Sequence, residues 1–237
     1  MTPADYQRAR RTLVRRDPVL ASLIRRHGPC GLAAAQRADH FSALVRAITG
    51  QQLSTKAAAT IYARMAALVA STPGGSPTVE GFARVTDEAL RGAGMSRQKI
   101  SYLRDLCEKV STRVVDLDAL DVLPDDDVID ALVKVKGIGR WSAEMFLIFR
   151  LHRPDVLPVD DLGIVVAVQR AYGLRKRPKA DRLRKIGEAW RPYRSVASWY
   201  LWRSLDNEPI STPVAHPAAP VKSPAAPAKR TKAAKPA

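Results

Sequence analysis

Between Leu132 and Ile148 the chain sets a Gly137-Ile138-Gly139 turn between two segments with apolar residues at helical spacing. Leu132, Val135 and Ile138 lie on the near side, and Ala143, Leu147 and Ile148 on the far side. These stripes predict two helices meeting through a very tight connection. Glycine tolerates positive φ and carries no side chain, so a phosphate can approach the backbone N–H groups that open the second helix. Lys136 and Arg140 flank the turn and add charge where that anion would sit. Such donors grip any nucleic-acid sequence equally well. A G-x-G between helices is also a common structural turn, so the surrounding residues have to decide between the two readings.

The charge balance narrows the choice. The 237 residues carry 39 Lys+Arg against 23 Asp+Glu, a formal charge of +16. The stretch 206–237 holds five Lys/Arg and two acids, so the preceding body keeps most of the excess. An excess of this size suits a polyanion. Nucleic acid fits better than a membrane, because the sequence has no amphipathic anchor and no long apolar run. Cys30 and Cys107 lie far apart and support neither a disulfide framework nor an iron–sulfur or zinc site. The N-terminus, MTPADYQRARRTLVRRD, has arginines but no apolar core of a secretory signal, so a cytoplasmic, nucleoid-associated location is expected.

Strand patterns are scarce and helix starts recur, which predicts an all-α fold. Asp39, Ser54, Thr86 and Ser96 each precede an apolar-periodic run and are expected to be N-caps. Residues 3–28 read as one or two helices broken near Asp17-Pro18, and residues 1–38 as a layer packing on the core. STPGGSPT at 71–78 reads as a loop, and the acids after Pro124 as the favourable first turn of a helix. The stretch 206–237 holds seven of the 17 prolines and no aromatic residue, and is expected to be a disordered tail. Its lysines would serve either as a solubilising linker or as weak DNA attraction.

The run GIGRW, followed by Ser-Ala and then LPVDD, resembles the signature of the helix-hairpin-helix (HhH-GPD) DNA glycosylase superfamily, specifically its 3-methyladenine DNA glycosylase II (alkylbase) branch. LVRAITGQQLSTKAA at 44–58, LRGAGMSRQKISYLRDL at 90–106 and WRPYRSVASWYLWR at 190–203 look like further family segments in the family's order. The resemblance spans roughly 39–205, with the hairpin motif at about 125–150. It implies a two-lobed helical fold without the β-rich N-terminal domain of some relatives. It also implies a monomer acting on duplex DNA that contains damaged bases, and a monofunctional glycosylase that flips and hydrolytically releases alkylated purines. No cofactor is implied, although a structural monovalent cation at the hairpin would be compatible.

By the same resemblance Lys136, Gly137, Gly139 and Arg140 bind phosphate, and Gln52, with Leu53 beside it, supplies the wedge that fills the gap left by a flipped nucleotide. The other reading has Gln51 and Gln52 capping a helix end. Asp161 is matched to the catalytic carboxylate that stabilises positive charge developing on the sugar, and Asp160 to the cap of the next helix. Lyase-competent branches carry a lysine immediately after the hairpin's GxGR. Trp141 stands there in this chain, so no Schiff base is expected, and its ring suits a cationic alkylated purine. Trp202 and Met145 complete the expected base pocket; Met145 and Arg203 stand where E. coli-type relatives have tyrosines, making the pocket less aromatic. Trp199 and Tyr200 read as core. Arg194 and Ser195 read equally as phosphate ligands or as a structural cap and ion pair. Basic residues from Arg175 to Lys185 read as a solvated face that aids non-specific scanning. The rival readings are a non-enzymatic DNA-binding or damage-sensing module and a glycosylase for oxidised or deaminated bases.

Overall fold

A computed structural model describes residues 1–34, 39–72 and 74–205. The expected tail at 206–237 lies outside the described residues. Among these the fold is helical, and the one β pairing is an isolated bridge between Ala70 and Pro77. The helices are α1 (Pro3–Arg16), α2 (Pro18–His27), α3 (His40–Gly50), α4 (Thr55–Val69), α5 (Val79–Arg84) and α6 (Asp87–Gly92). They continue with α7 (Arg97–Ser111), α8 (Asp125–Leu132), α9 (Arg140–Phe149), α10 (Leu162–Ala171), α11 (Ala180–Gly187) and α12 (Arg194–Arg203). Short 3-10 turns occur at Gly31–Ala34 and Glu188–Trp190. No described helix is long and apolar enough to cross a membrane.

Side-chain caps set where these helices begin. Asp39, Ser54, Thr86 and Ser96 each accept a backbone N–H from three residues on, opening α3, α4, α6 and α7. Each satisfies a donor that the helix itself leaves without a partner. α8 starts without a side-chain cap, after Pro124, and carries three aspartates in its first turn, where the helix dipole favours them.

Packing divides the helices into two lobes. α3 to α7 pack on one another, with α8 and α9 joined to them through α3. α1, α2, α10 and α12 form the other lobe, and α11 joins it through the second 3-10 turn. Tyr6, Ala9 and Leu13 of α1 and Leu20, Leu23 and Ile24 of α2 are buried with Val196, Tyr200 and Leu201 of α12 in the core. Burying each large apolar side chain contributes about 2 kcal/mol. Tyr200 is fully buried and donates to the Gly28 carbonyl at 2.7 Å, whereas Trp199 is half-buried against Gly31.

Asp17 is the polar centre of this second lobe. Its Oδ1 accepts from the backbone N–H groups of Val19 and Leu20, capping α2, and its Oδ2 accepts from Tyr172 Oη and from Trp190 Nε1 at 2.9 Å. A buried carboxylate is tolerable because four donors converge on it. Asp17→Ala should leave those donors unpaired and lower unfolding stability by about 3 kcal/mol, read from urea denaturation. A loss within about 0.5 kcal/mol, the range of surface substitutions, would show that the network is dispensable.

Candidate active site

The hairpin between α8 and α9 follows from its alternation of buried and exposed residues. Val135 and Ile138 point into the core, while Lys136, Gly137, Gly139 and Arg140 are exposed. Gly137 has φ 82°, and a Cβ there would sit 2.2 Å from the Tyr102 ring, so glycine is required for both conformation and space. Gly139 is the N-cap of α9, has no side-chain cap bond, and nothing lies within 4 Å of where its Cβ would be. The N-terminus of α9 is therefore open to an anion. From beneath, Asp105 of α7 accepts the Lys136 backbone N–H at 2.8 Å and pairs with Lys109 and Lys136 Nζ at 3.0 and 3.4 Å. These partners outweigh burial and hold the Asp105 carboxyl below its ordinary range.

Immediately beyond Arg140, Trp141 turns its indole toward Asp161. Trp141 Nε1 donates to Asp161 Oδ2 at 2.7 Å, and Trp202 Nε1 of α12 donates to Oδ1 at 2.9 Å. Oδ1 also accepts the Ile164 N–H at 2.7 Å, so Asp161 is the N-cap of α10. This corrects the assignment of the cap to Asp160, which is exposed. The reason is register: a cap oxygen must reach the N–H three residues on, and α10 begins at Leu162, so that oxygen comes from Asp161. One carboxylate, 5 % exposed, thus caps a helix and receives two indoles.

The surroundings fix this arrangement. A Cβ on Gly163 would lie 2.9 Å from Asp161 Oδ1 and 3.1 Å from Trp202 Cδ1, so glycine makes room for the indole–carboxylate contact. Phe149 stacks on Trp202 with ring centroids 5.7 Å apart. Met145 is buried one helical turn after Trp141 on α9. The connection from α9 to α10 is tied down by Tyr6 Oη on His152 Nδ1 (2.7 Å) and by the Arg194–Asp155 ion pair (2.7 Å). Arg194 and Ser195 are therefore structural. Ser195 Oγ accepts from the Val156 N–H at 3.0 Å.

Glu144, which the sequence reading passed over, lies on α9 between Trp141 and Phe149. It is buried and contacts Arg140 Nε at 3.2 Å. Burial pushes its carboxyl up to about 7; Arg140 opposes the shift, and Asp160 and Asp161 add to it.

The expected wedge lies at the α3–α4 connection. Gln51 is the C-cap residue of α3, and its Nε2 donates to the Gly137 carbonyl of the hairpin at 2.8 Å. Gln52 is exposed with φ 58°, and Leu53 beside it is 37 % exposed. Of the two glutamines, then, Gln51 sits at the helix end and Gln52 stands out at the tip. The basic residues from Arg175 to Lys185 are exposed. Two surface grooves of about 670 and 520 Å³ are lined by arginines of α1, α2 and α10 and contain neither carboxylate nor indole. The chemistry-bearing groups gather instead where α9, α10 and α12 meet.

A family model described as HhH-GPD superfamily base excision DNA repair protein matches residues 45–192. DNA-3-methyladenine glycosylase 1 of Schizosaccharomyces pombe is 34% identical over 180 residues, covering 76% of this chain and 78% of that protein. A DNA-3-methyladenine glycosidase structure from Bacillus halodurans superposes with TM-score 0.73 at 40% identity, covering 83% of this chain and 88% of the other. A structure of an S. pombe 3-methyladenine DNA glycosylase in complex with abasic DNA gives TM-score 0.71 at 31% identity, with coverage of 83% and 96%.

Because folding raises the Glu144 carboxyl from an ordinary 4.5 to about 7, the folded chain holds a proton there that the unfolded chain has released. The group costs nothing below its unfolded value, and its penalty grows as pH rises through that window. Glu144→Gln should therefore gain stability relative to the unsubstituted protein between pH 5 and pH 8, by on the order of 3 kcal/mol at full effect. Parallel urea denaturation at both pH values checks this, and a difference that does not change with pH would contradict the assignment.

Proposed function

The chain belongs to the HhH-GPD superfamily of base excision DNA repair proteins, and we infer from its site that it is a DNA glycosylase that hydrolytically excises alkylated purines from duplex DNA. The observation that carries this reading is the Asp161 carboxylate held between the indoles of Trp141 and Trp202, directly beside an exposed glycine hairpin.

Duplex DNA is the partner. The N-terminus of α9, with Lys136 and Arg140 on either side of the turn, binds phosphate independently of sequence. The target nucleotide must leave the stack before its glycosidic bond can be reached. Gln52 then enters the gap, where its amide replaces hydrogen bonds lost by the orphaned base, while Leu53 fills space. The everted purine lies beside Trp141, Met145 and Trp202. A ring alkylated on nitrogen is cationic, and the indole faces attract cations.

Cleavage passes the electron pair of the C1′–N bond to the base and leaves positive charge on the sugar. Asp161 stabilises that charge and orients water, whose oxygen bonds to C1′ while its proton passes to the Asp161 carboxylate. An alkylated base already carries positive charge, so it leaves without a strong general acid. The product is an abasic site. Trp141 cannot form a Schiff base, and Lys136 Nζ is paired with Asp105 on the other side of the turn. The indoles beside Asp161 and the lack of a lysine after Arg140 favour this reading over excision of oxidised bases. Indoles converging on a buried carboxylate favour an enzyme over a passive binding module.

The reading has the protein act as a monomer and needs no cofactor for the chemistry. Among the described residues no three His, Cys, Asp or Glu side chains gather as a metal site. A monovalent cation at the hairpin would rest on backbone carbonyls of the turn and supply only charge toward a phosphate.

Asp161→Asn should lower release of 3-methyladenine or 7-methylguanine by roughly 10³-fold or more while leaving affinity for duplex DNA nearly unchanged. Its amide would also turn N–H groups toward an indole donor, so a small loss of thermal stability should accompany it. Turnover near the unsubstituted level would refute the assignment. Borohydride should trap no covalent enzyme–DNA adduct on gel analysis; a trapped species would reveal an amine nucleophile.

A further inference from the structure

The wedge loop and the hairpin are 86 residues apart in sequence, yet Gln51 joins them directly through its bond to the Gly137 carbonyl. Beneath both loops runs one face of α7. Lys99 Nζ donates to Thr49 O at 2.7 Å, holding the end of α3, and burial lowers its pKa. One turn on, the Tyr102 ring fills the space under Gly137, its hydroxyl fixed by Gln98 Nε2 at 2.6 Å. A further turn on, Asp105 anchors the Lys136 backbone. Lys99, Tyr102 and Asp105 follow at intervals of three, so they lie along one side of the helix. The wedge loop and the hairpin thus share a floor, and Gln51 closes the top.

We propose that Gln51 is a positioning residue that couples phosphate grip at the hairpin to base eversion by the Gln52 loop. This rests on the glycosylase reading above. Gln52 sits in a left-handed conformation at the tip, next to the bonded Gln51, so the latch sets where the wedge projects relative to the gripped backbone. Without it the hairpin still binds DNA, but the wedge no longer enters the gap in register with the phosphates. The deficit should then depend on how costly eversion is, which a merely structural role would not produce.

The test compares single-turnover release of 7-methylguanine from two duplexes, one with the lesion opposite cytosine and one opposite a baseless tetrahydrofuran residue. The second has no pairing to break and no orphaned base to satisfy. Gln51→Ala should slow release roughly 10-fold on the first duplex and less than about 3-fold on the second, with affinity for undamaged duplex unchanged. Gln51→Glu keeps the shape but lacks the donor, and should show the same disparity. Equal deficits on both duplexes, or none on either, would overturn the latch. Absence of release by the unsubstituted protein would instead bring down the glycosylase reading and the latch together.

Discussion

A single carboxylate organises the site. Asp161 accepts hydrogen bonds from Trp141 on α9, from Trp202 on α12 and from the backbone that opens α10, so three helices of both lobes are referenced to one pair of oxygens. Buried anions are costly unless donors surround them, and here those donors also shape the proposed base pocket. The group that would face the developing sugar cation is oriented before any substrate arrives. Such preorganisation is what makes electrostatic stabilisation effective in a water-poor site.

Around that centre, supports come from places remote in sequence. Phe149 stacks on Trp202, Gly163 leaves room for the contact, and the Arg194–Asp155 pair with Ser195 Oγ fixes the connection entering α10. The hairpin is supported separately by α7. The hairpin and the carboxylate centre thus have separate supports that meet at consecutive residues, Arg140 and Trp141.

Much of this was legible in the sequence. The caps at Asp39, Ser54, Thr86 and Ser96 were readable because a short polar side chain before an apolar-periodic run has few other roles. The glycine turn could be singled out from its residue types, and Trp141 and Asp161 through the resemblance of GIGRW and LPVDD to a family in which membership is shown. Which of Asp160 and Asp161 caps α10 was not legible, since two adjacent carboxylates look alike until the first helical residue is known. Gln51 to Gly137, Asp105 to Lys136 and Tyr102 under Gly137 were not legible, because no local pattern marks contacts across 31 to 86 residues. Glu144 gave a faint signal as an acid among apolar residues of α9, while its elevated pKa arises first from tertiary burial, with Asp160 and Asp161 adding to it.

The place of Asp17 has a consequence for where this molecule can be cut. The family match spans 45–192, but Asp17 lies before it and Trp202 after it. Helices α1 and α2 share their buried face with α12, so the matched segment leaves out helices that the core includes. Trimming to the recognisable segment would discard one of the two indoles on the carboxylate and expose an apolar face of the remaining lobe. In this architecture the recognisable segment is a portion of one packed core, and its two flanks meet to complete it.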